Sequence, residues 1–129
     1  MNDVLKGCMK NGVAGRKSRF LNRDDIAGKT GTTNDSVSTW FSGFHSDLVT
    51  TVWVGTDNFS SLGENEYGST IALPIWLNYM DYKLQSLKTN KENIPQNISF
   101  VRVDKSSGEI DIDSKENFYF ELFLDENLN

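Results

Sequence analysis

The chain has 129 residues, 37% apolar and 12% aromatic, which suits one small domain with a real core and argues against wholesale disorder. A net charge of −5, with the basic residues from Arg16 to Arg23 offset by Asp24 and Asp25, argues against a nucleic-acid binder. The single cysteine, Cys8, excludes an intrachain disulfide, one Cys and one His do not make a zinc site at the usual spacings, and no apolar run reaches the ~18 residues of a membrane span.

In chain order, Met1, Val4, Leu5, Cys8 and Met9 recur at helical spacing before the stop signal Asn11-Gly12, predicting an amphipathic helix over about 1–11. The N-terminus lacks the apolar core of a signal peptide and reads as the middle of a helix, so the chain is expected to be a piece of something longer. Residues 13–24 read as a loop. Ile26 to Thr33 reads as a strand, Asn34-Asp35-Ser36 as a turn, Thr39 to His45 as a second strand, Ser46-Asp47 as a two-residue turn, and Leu48 to Gly55 as a third strand. These make an antiparallel meander over about 26–56, followed by a loop punctuated by Gly63 and Gly68.

From Thr70 the period becomes helical, with Ala72, Ile75, Trp76, Tyr79, Met80, Leu84 and Leu87 on one face, Thr70 as cap and Pro74 in the first turn. This predicts a helix over about 70–87. A polar linker leads to a hairpin of Ile98 to Asp104 with Glu109 to Asp113. Asn117 to Leu124 fits either a strand or a short helix, and the acidic tail is expected to fray. The fold class is α+β: the sheet packed by the two helices, with a small C-terminal β appendage, divided as 1–88 and 89–129.

The segment Asp24-Asp25-Ile26-Ala27-Gly28-Lys29-Thr30-Gly31-Thr32-Thr33-Asn34-Asp35 contains two overlapping signatures. Gly28-Lys29-Thr30 matches the end of a phosphate-binding loop, but that loop needs glycine where Arg23 stands and a helix where a turn and an aromatic strand follow. Lys29-Thr30-Gly31 matches the third signature of serine penicillin-interactive enzymes. The flanks Trp40-Phe41-Ser42-Gly43-Phe44, Asp47 to Gly55 and Ala72-Leu73-Pro74-Ile75-Trp76 follow in family order. The chain resembles the C-terminal part of the transpeptidase domain of class A, bifunctional penicillin-binding proteins, with a partial serine D,D-peptidase/β-lactamase-like fold. The match is strongest over about residues 1–85.

That resemblance implies an acyl transfer in which a serine attacks a D-Ala–D-Ala carbonyl of a peptidoglycan stem peptide and an amine resolves the ester. It implies that Lys29, Thr30, Gly31 and Thr32 serve catalysis and that Lys29, Thr32, Thr33 and Trp40 contact substrate. Lys29 supplies the charge and Thr32 the hydroxyl for the peptide carboxylate, a charge-assisted bond of about 1.5–3 kcal/mol. The Thr32 backbone N–H is one of two oxyanion donors, worth about 2.7–4 kcal/mol. Gly31 lets substrate lie against the strand. Strand alternation puts Lys29 and Gly31 on one face and Thr30 and Thr32 on the other, so a shared role for Lys29 and Thr32 requires a twist or bulge near Gly31.

Other notable residues read as structural: Trp40 and Phe41 as core or site wall, Trp53 and Trp76 as core, Cys8 as a small buried hydrophobe, and His45 as no general base. The chain contains neither S-x-x-K nor S-x-N, so it is expected to be inactive alone. Asp-Ala before Trp-Phe is replaced by Ser38-Thr39, and Asp-Asp after the third strand's glycine by Thr56-Asp57, which weakens any role for those positions. The resemblance implies no cofactor or metal, stem peptides and β-lactams as partners, no nucleic acid, no membrane contact by this segment, and the outer face of the cytoplasmic membrane as location, through an anchor outside the chain. The missing upstream part predicts association, either as a homo-oligomer or with the remainder of the domain. The alternative is a catalytically dead module of the same fold that binds cell wall or a partner.

Overall fold

The structure is a computed structural model and describes residues 2–90, 93–111 and 116–128. The chain divides into two compact units, Met1–Lys91 and Glu92–Asn129. Among the described residues no helix is long and apolar enough to cross a membrane.

The first unit begins with α1 (Asn2–Lys10), whose Met9 is buried and whose Cys8 packs partly buried at the edge of the core. The stretch expected to be a loop is instead helical in two short pieces, α2 (Gly15–Ser18) and a 3-10 turn over Arg19–Leu21. Ser18 explains part of this: its hydroxyl donates to Met9 O at 2.7 Å and ties α2 to the end of α1. Asn22 then closes the turn at φ 47°, a left-handed conformation that Asn tolerates.

Strands β1 (Ala27–Thr32), β2 (Ser38–His45) and β3 (Leu48–Gly55) form an antiparallel sheet in that order. The meander therefore lies where alternation and turn residues placed it. Its register runs unbroken from Ala27 opposite Phe44 to Thr32 opposite Thr39, and Trp40 faces Trp53 across the next pair of strands.

Helix α3 (Ala72–Leu84) lies on the face that carries Phe41. It is shorter than expected at both ends. Thr70 is no cap: its hydroxyl accepts from Tyr67 N–H at 2.7 Å and closes the turn before the helix. The buried stripe also differs, with Leu73 and Leu77 inside and Ile75 and Tyr79 exposed. Both stripes are apolar, so periodicity alone leaves the helix free to roll; Trp76 sets the angle. Its ring lies over Gly43, where a Cβ would sit 2.5 Å from the ring, and its Nε1–H donates to Thr50 O at 3.0 Å. Phe41 packs on the same ring at a centroid distance of 4.9 Å.

Trp53, expected in the core, stands 45% exposed beside Trp40, their rings edge-to-face at 6.2 Å. Alternation puts both on the sheet face opposite α3.

The second unit is a two-stranded ribbon of β4 (Ile98–Asp104) and β5 (Phe118–Leu124). The expected turn at Lys105–Gly108 forms, but among the described residues the returning segment makes only the bridge Ile110–Val103, and the full ladder belongs to Phe118–Leu124. Residues 112 and 113 of the expected strand lie outside the described residues. The tail forms a 3-10 turn over Asp125–Leu128 rather than fraying at once, because Asp125 N–H bonds Asn97 O and its carboxylate accepts from Ser99.

Candidate active site

β1 is an outer strand of its sheet, and this decides what its backbone can offer. Thr33 N–H donates to Ser38 O at 3.0 Å, which sets the phase of the ladder. In an antiparallel pair the exchanging residues alternate, so Thr30 and Thr32 direct their N–H and C=O groups outward, away from β2. An outward N–H at Thr32 is a donor aimed at whatever lies along the strand.

The bulge anticipated near Gly31 does not occur, since the pairing is continuous through Lys29–Ser42, Thr30–Phe41 and Gly31–Trp40. The length of the lysine side chain does what a bulge would have done. Lys29 starts on the Trp40 face, and its Nζ bends over the open edge to donate to Thr30 O at 3.0 Å, with Thr30 Oγ1 at 3.4 Å. An ammonium and a backbone N–H thus share one edge although the side chains of Lys29 and Thr32 leave from opposite faces.

Thr32 is exposed, and its Oγ1 accepts from Gly68 N–H at 3.0 Å. Thr33 is differently placed. Its hydroxyl accepts from Ser38 N–H at 2.8 Å and donates to Ser38 O at 3.1 Å, so the turn takes both. Trp40 lies directly across from Gly31, 43% exposed, and a Cβ on Gly31 would stand 3.3 Å from Trp40 Cβ. Lys29, Thr30, Gly31 and Thr32 therefore line one edge, Trp40 walls one face of it, and Thr33 belongs to the turn.

At the base of β1 lies a buried ionic cluster that the residue pattern did not disclose. Arg23 meets both carboxylate oxygens of Asp25 at 2.8 Å and donates to the carbonyls of Leu84 at 3.4 Å, the last residue of α3, and of Leu87 at 2.9 Å and Lys88 at 3.1 Å just beyond it. Asn90 N–H adds a bond to Asp25 Oδ2 at 2.7 Å. Burial by itself would raise the Asp25 carboxyl, but the Arg23 and Asn90 hydrogen bonds and the charge of Arg23 hold it below the ordinary 3.8. His45 is buried with Nε2 3.2 Å from Asp25 Oδ2, close in distance but off the line of a hydrogen bond. Its Nδ1 accepts from Asp47 N–H at 3.3 Å. The cluster ties the segment before β1 to the end of α3 and the residues that follow it.

The match to known proteins is extensive along this chain. It is 44% identical over 126 residues to penicillin-binding protein 1A of Pseudomonas aeruginosa, covering 98% of this chain and 15% of that protein. Penicillin-binding protein 1A of Neisseria gonorrhoeae is 41% identical over 98 residues, 76% of this chain and 12% of that one. The crystal structure of penicillin-binding protein 1A from Haemophilus influenzae superposes with a TM-score of 0.84 at 32% identity, over 95% of this chain and 19% of that one. The chain belongs to the penicillin-binding proteins. No family model matches it. Its α+β architecture is a partial transpeptidase fold of the penicillin-binding protein 1A kind, and it spans between about a tenth and a fifth of the length of these relatives.

The sequence reading missed Arg23, Asp25, His45 and Gly68. Arg23 entered it as the end of a basic run and as the residue that breaks a phosphate loop, and Gly68 only as loop punctuation. The one signal for Gly68 was the glycine itself in Tyr67-Gly68-Ser69-Thr70, which has no visible partner until the sheet is folded.

Proposed function

We propose that this segment forms one wall of a peptidoglycan D,D-transpeptidase site, in which a serine outside the chain is acylated by a stem peptide or a β-lactam. The observation that carries the reading is the open edge of β1: an outward Thr32 N–H, the Lys29 ammonium folded over the same edge, and a Thr32 hydroxyl on the exposed side.

The chemistry follows from these groups. The serine oxygen bonds to the D-Ala carbonyl carbon, and the carbonyl electrons move to oxygen. The Thr32 N–H, with the N–H of the serine, stabilises that oxyanion, worth about 2.7–4 kcal/mol per donor. The oxyanion then collapses, the peptide C–N bond breaks, and D-Ala leaves carrying the proton that the serine hydroxyl gave up; an amine of a neighbouring stem later displaces the serine and returns a proton to it. Until D-Ala departs, Lys29 and the Thr32 hydroxyl hold its terminal carboxylate, so the carbonyl is presented to the serine in one orientation. Thr30 acts through its outward carbonyl, which anchors Lys29 Nζ. Gly31 keeps the strand low beneath the substrate, and Trp40 flanks it. The segment acts at the outer face of the cytoplasmic membrane, held there by parts of the protein outside it.

The test is covalent labelling of the complete gene product by a fluorescent penicillin. Lys29→Ala is expected to slow acylation about 10- to 150-fold, the kinetic equivalent of one charge-assisted bond. The 129-residue chain alone is expected to take no label. Labelling of Lys29→Ala at the parental rate, or a penicilloyl adduct on the isolated chain, would sink the proposal. A complete product that binds peptidoglycan without being labelled would favour the non-catalytic module instead.

A further inference from the structure

We infer that Gly68 and Lys17 are positioning residues that turn the Thr32 hydroxyl into a dedicated hydrogen-bond donor for a carboxylate; this rests on the function proposed above. A threonine hydroxyl has one proton and two lone pairs and rotates to suit its surroundings. Left alone at a strand edge, Thr32 would spend its proton on water or backbone as often as on a ligand. Here Gly68 N–H occupies one lone pair at 3.0 Å. The O–H then points away from that donor, and an anion along the edge is the partner it lacks.

Gly68 is itself held from three directions. Its N–H is on Thr32, its carbonyl accepts from Leu73 N–H at 2.8 Å in the first turn of α3, and the next carbonyl, Ser69 O, accepts from Lys17 Nζ at 2.6 Å. Lys17 sits on α2, the short helix in a stretch expected to be a loop, so this contact joins a segment before β1 to the loop after β3. Glycine is required for closeness rather than for an unusual backbone angle. A Cβ at position 68 would stand 2.5 Å from Trp40 O, 2.7 Å from Gly31 O and 3.2 Å from Thr30 Cβ. Two of those three atoms are backbone atoms of the β1–β2 ladder, which cannot give way cheaply. Any side chain at 68 therefore lifts the loop and takes its N–H off Thr32.

The experiment measures acylation of the complete gene product by a penicillin with a free carboxylate and by its methyl ester. Gly68→Ala and Lys17→Met are each expected to lower the second-order rate constant about 3- to 10-fold for the free acid, the equivalent of one neutral hydrogen bond, and to leave the ester unchanged. Lys17→Arg, which keeps a donor within reach of Ser69 O, is expected to restore the rate. In a Thr32→Val background the effect of Lys17→Met should vanish, since the hydroxyl it serves is gone. Equal losses on acid and ester, or a Lys17→Met loss that persists beside Thr32→Val, would overturn the positioning role. Lys17→Met keeps the test decisive should Gly68→Ala fail to fold. A parental protein that neither compound acylates overturns the proposed function itself, and the positioning role with it.

Discussion

The two units reach order by different means. In the first, a sheet and a helix enclose Phe41, Leu73, Trp76, Leu77 and Met80, all essentially buried. In the second, Val103 alone among the described apolar side chains is buried, while Phe100 and Phe120 stand 57% and 58% exposed. A two-stranded ribbon has no second layer to cover its faces and is marginal by packing alone. It leans on local chemistry: the Arg102 guanidinium 4.6 Å from the Phe118 ring, the edge-to-face pair Phe118–Phe120, and Asp104 gathering the Ser106 and Ser107 N–H groups into a turn. The difference teaches why the candidate site belongs to the first unit. A donor held at a strand edge is useful only if the strand cannot drift, and the sheet that carries β1 has a packed layer and an ionic anchor at its base.

The largest expected effect tests that layer. Trp76→Ala should cost about 3–5 kcal/mol, seen as a lower urea midpoint for the first unit, because it opens a cavity over Gly43 and removes the bond to Thr50 O. An unchanged midpoint would mean that α3 is not what holds the sheet. Next is the anchor. Asp25→Asn leaves the Arg23 guanidinium, 10% exposed, without its counter-charge and should cost about 3 kcal/mol.

The same residue carries a pH signature. The folded carboxyl lies below the unfolded value of 3.8, so its contribution is complete above that pH and is lost as pH falls through the lowered folded value. The parental chain should therefore lose stability on acidification below 3.8, and Asp25→Asn should remove that part of the acid limb. Parallel acid profiles for the two would contradict the anchor.

Val103→Ala should cost about 1–2 kcal/mol, less than any substitution at the centre of the first unit, since a single methyl pair is lost from a thin layer. The smallest effect is expected from Asp104→Ala. Asp104 is half-buried, and the Ser106 and Ser107 hydrogen bonds hold its carboxyl down to about 2. Its hold on the turn is present above 3.8 and fades as pH falls toward 2, readable as lost amide protection, relative to the intrinsic exchange rate at each pH, at Ser106 and Ser107. Exchange at those amides that ignores both the mutation and the acid would show that the turn is set by Gly108 and its φ of 74° instead.

Much of the first unit was legible in advance because its signals are local. Alternating Thr, Trp, Phe and Val with a Ser46-Asp47 turn defines a meander whether or not anything packs on it, and Lys29-Thr30-Gly31-Thr32 marks the candidate site by residue type. Thr33 shows the limit of such reading. Its hydroxyl suits a substrate as well as its neighbour's does, and only the fold, by bringing Ser38 within 2.8 Å, gives it to the turn. Trp53 shows another: a tryptophan on a strand suggests core, yet strand parity places it with Trp40 on the face away from α3.

The sequence by itself determined the main elements of the first unit, the pairing of its three strands and the identity of the candidate site motif, because each depends on neighbours within a few residues. The tertiary structure decided which stripe of α3 is buried, how Lys29 crosses the strand edge, what Arg23 and Asp25 clamp, and that Gly68 donates to Thr32. Those contacts join residues 36 to 65 positions apart, or depend on which face of an element another covers. No local periodicity records such distances; they exist only once burial has chosen the faces.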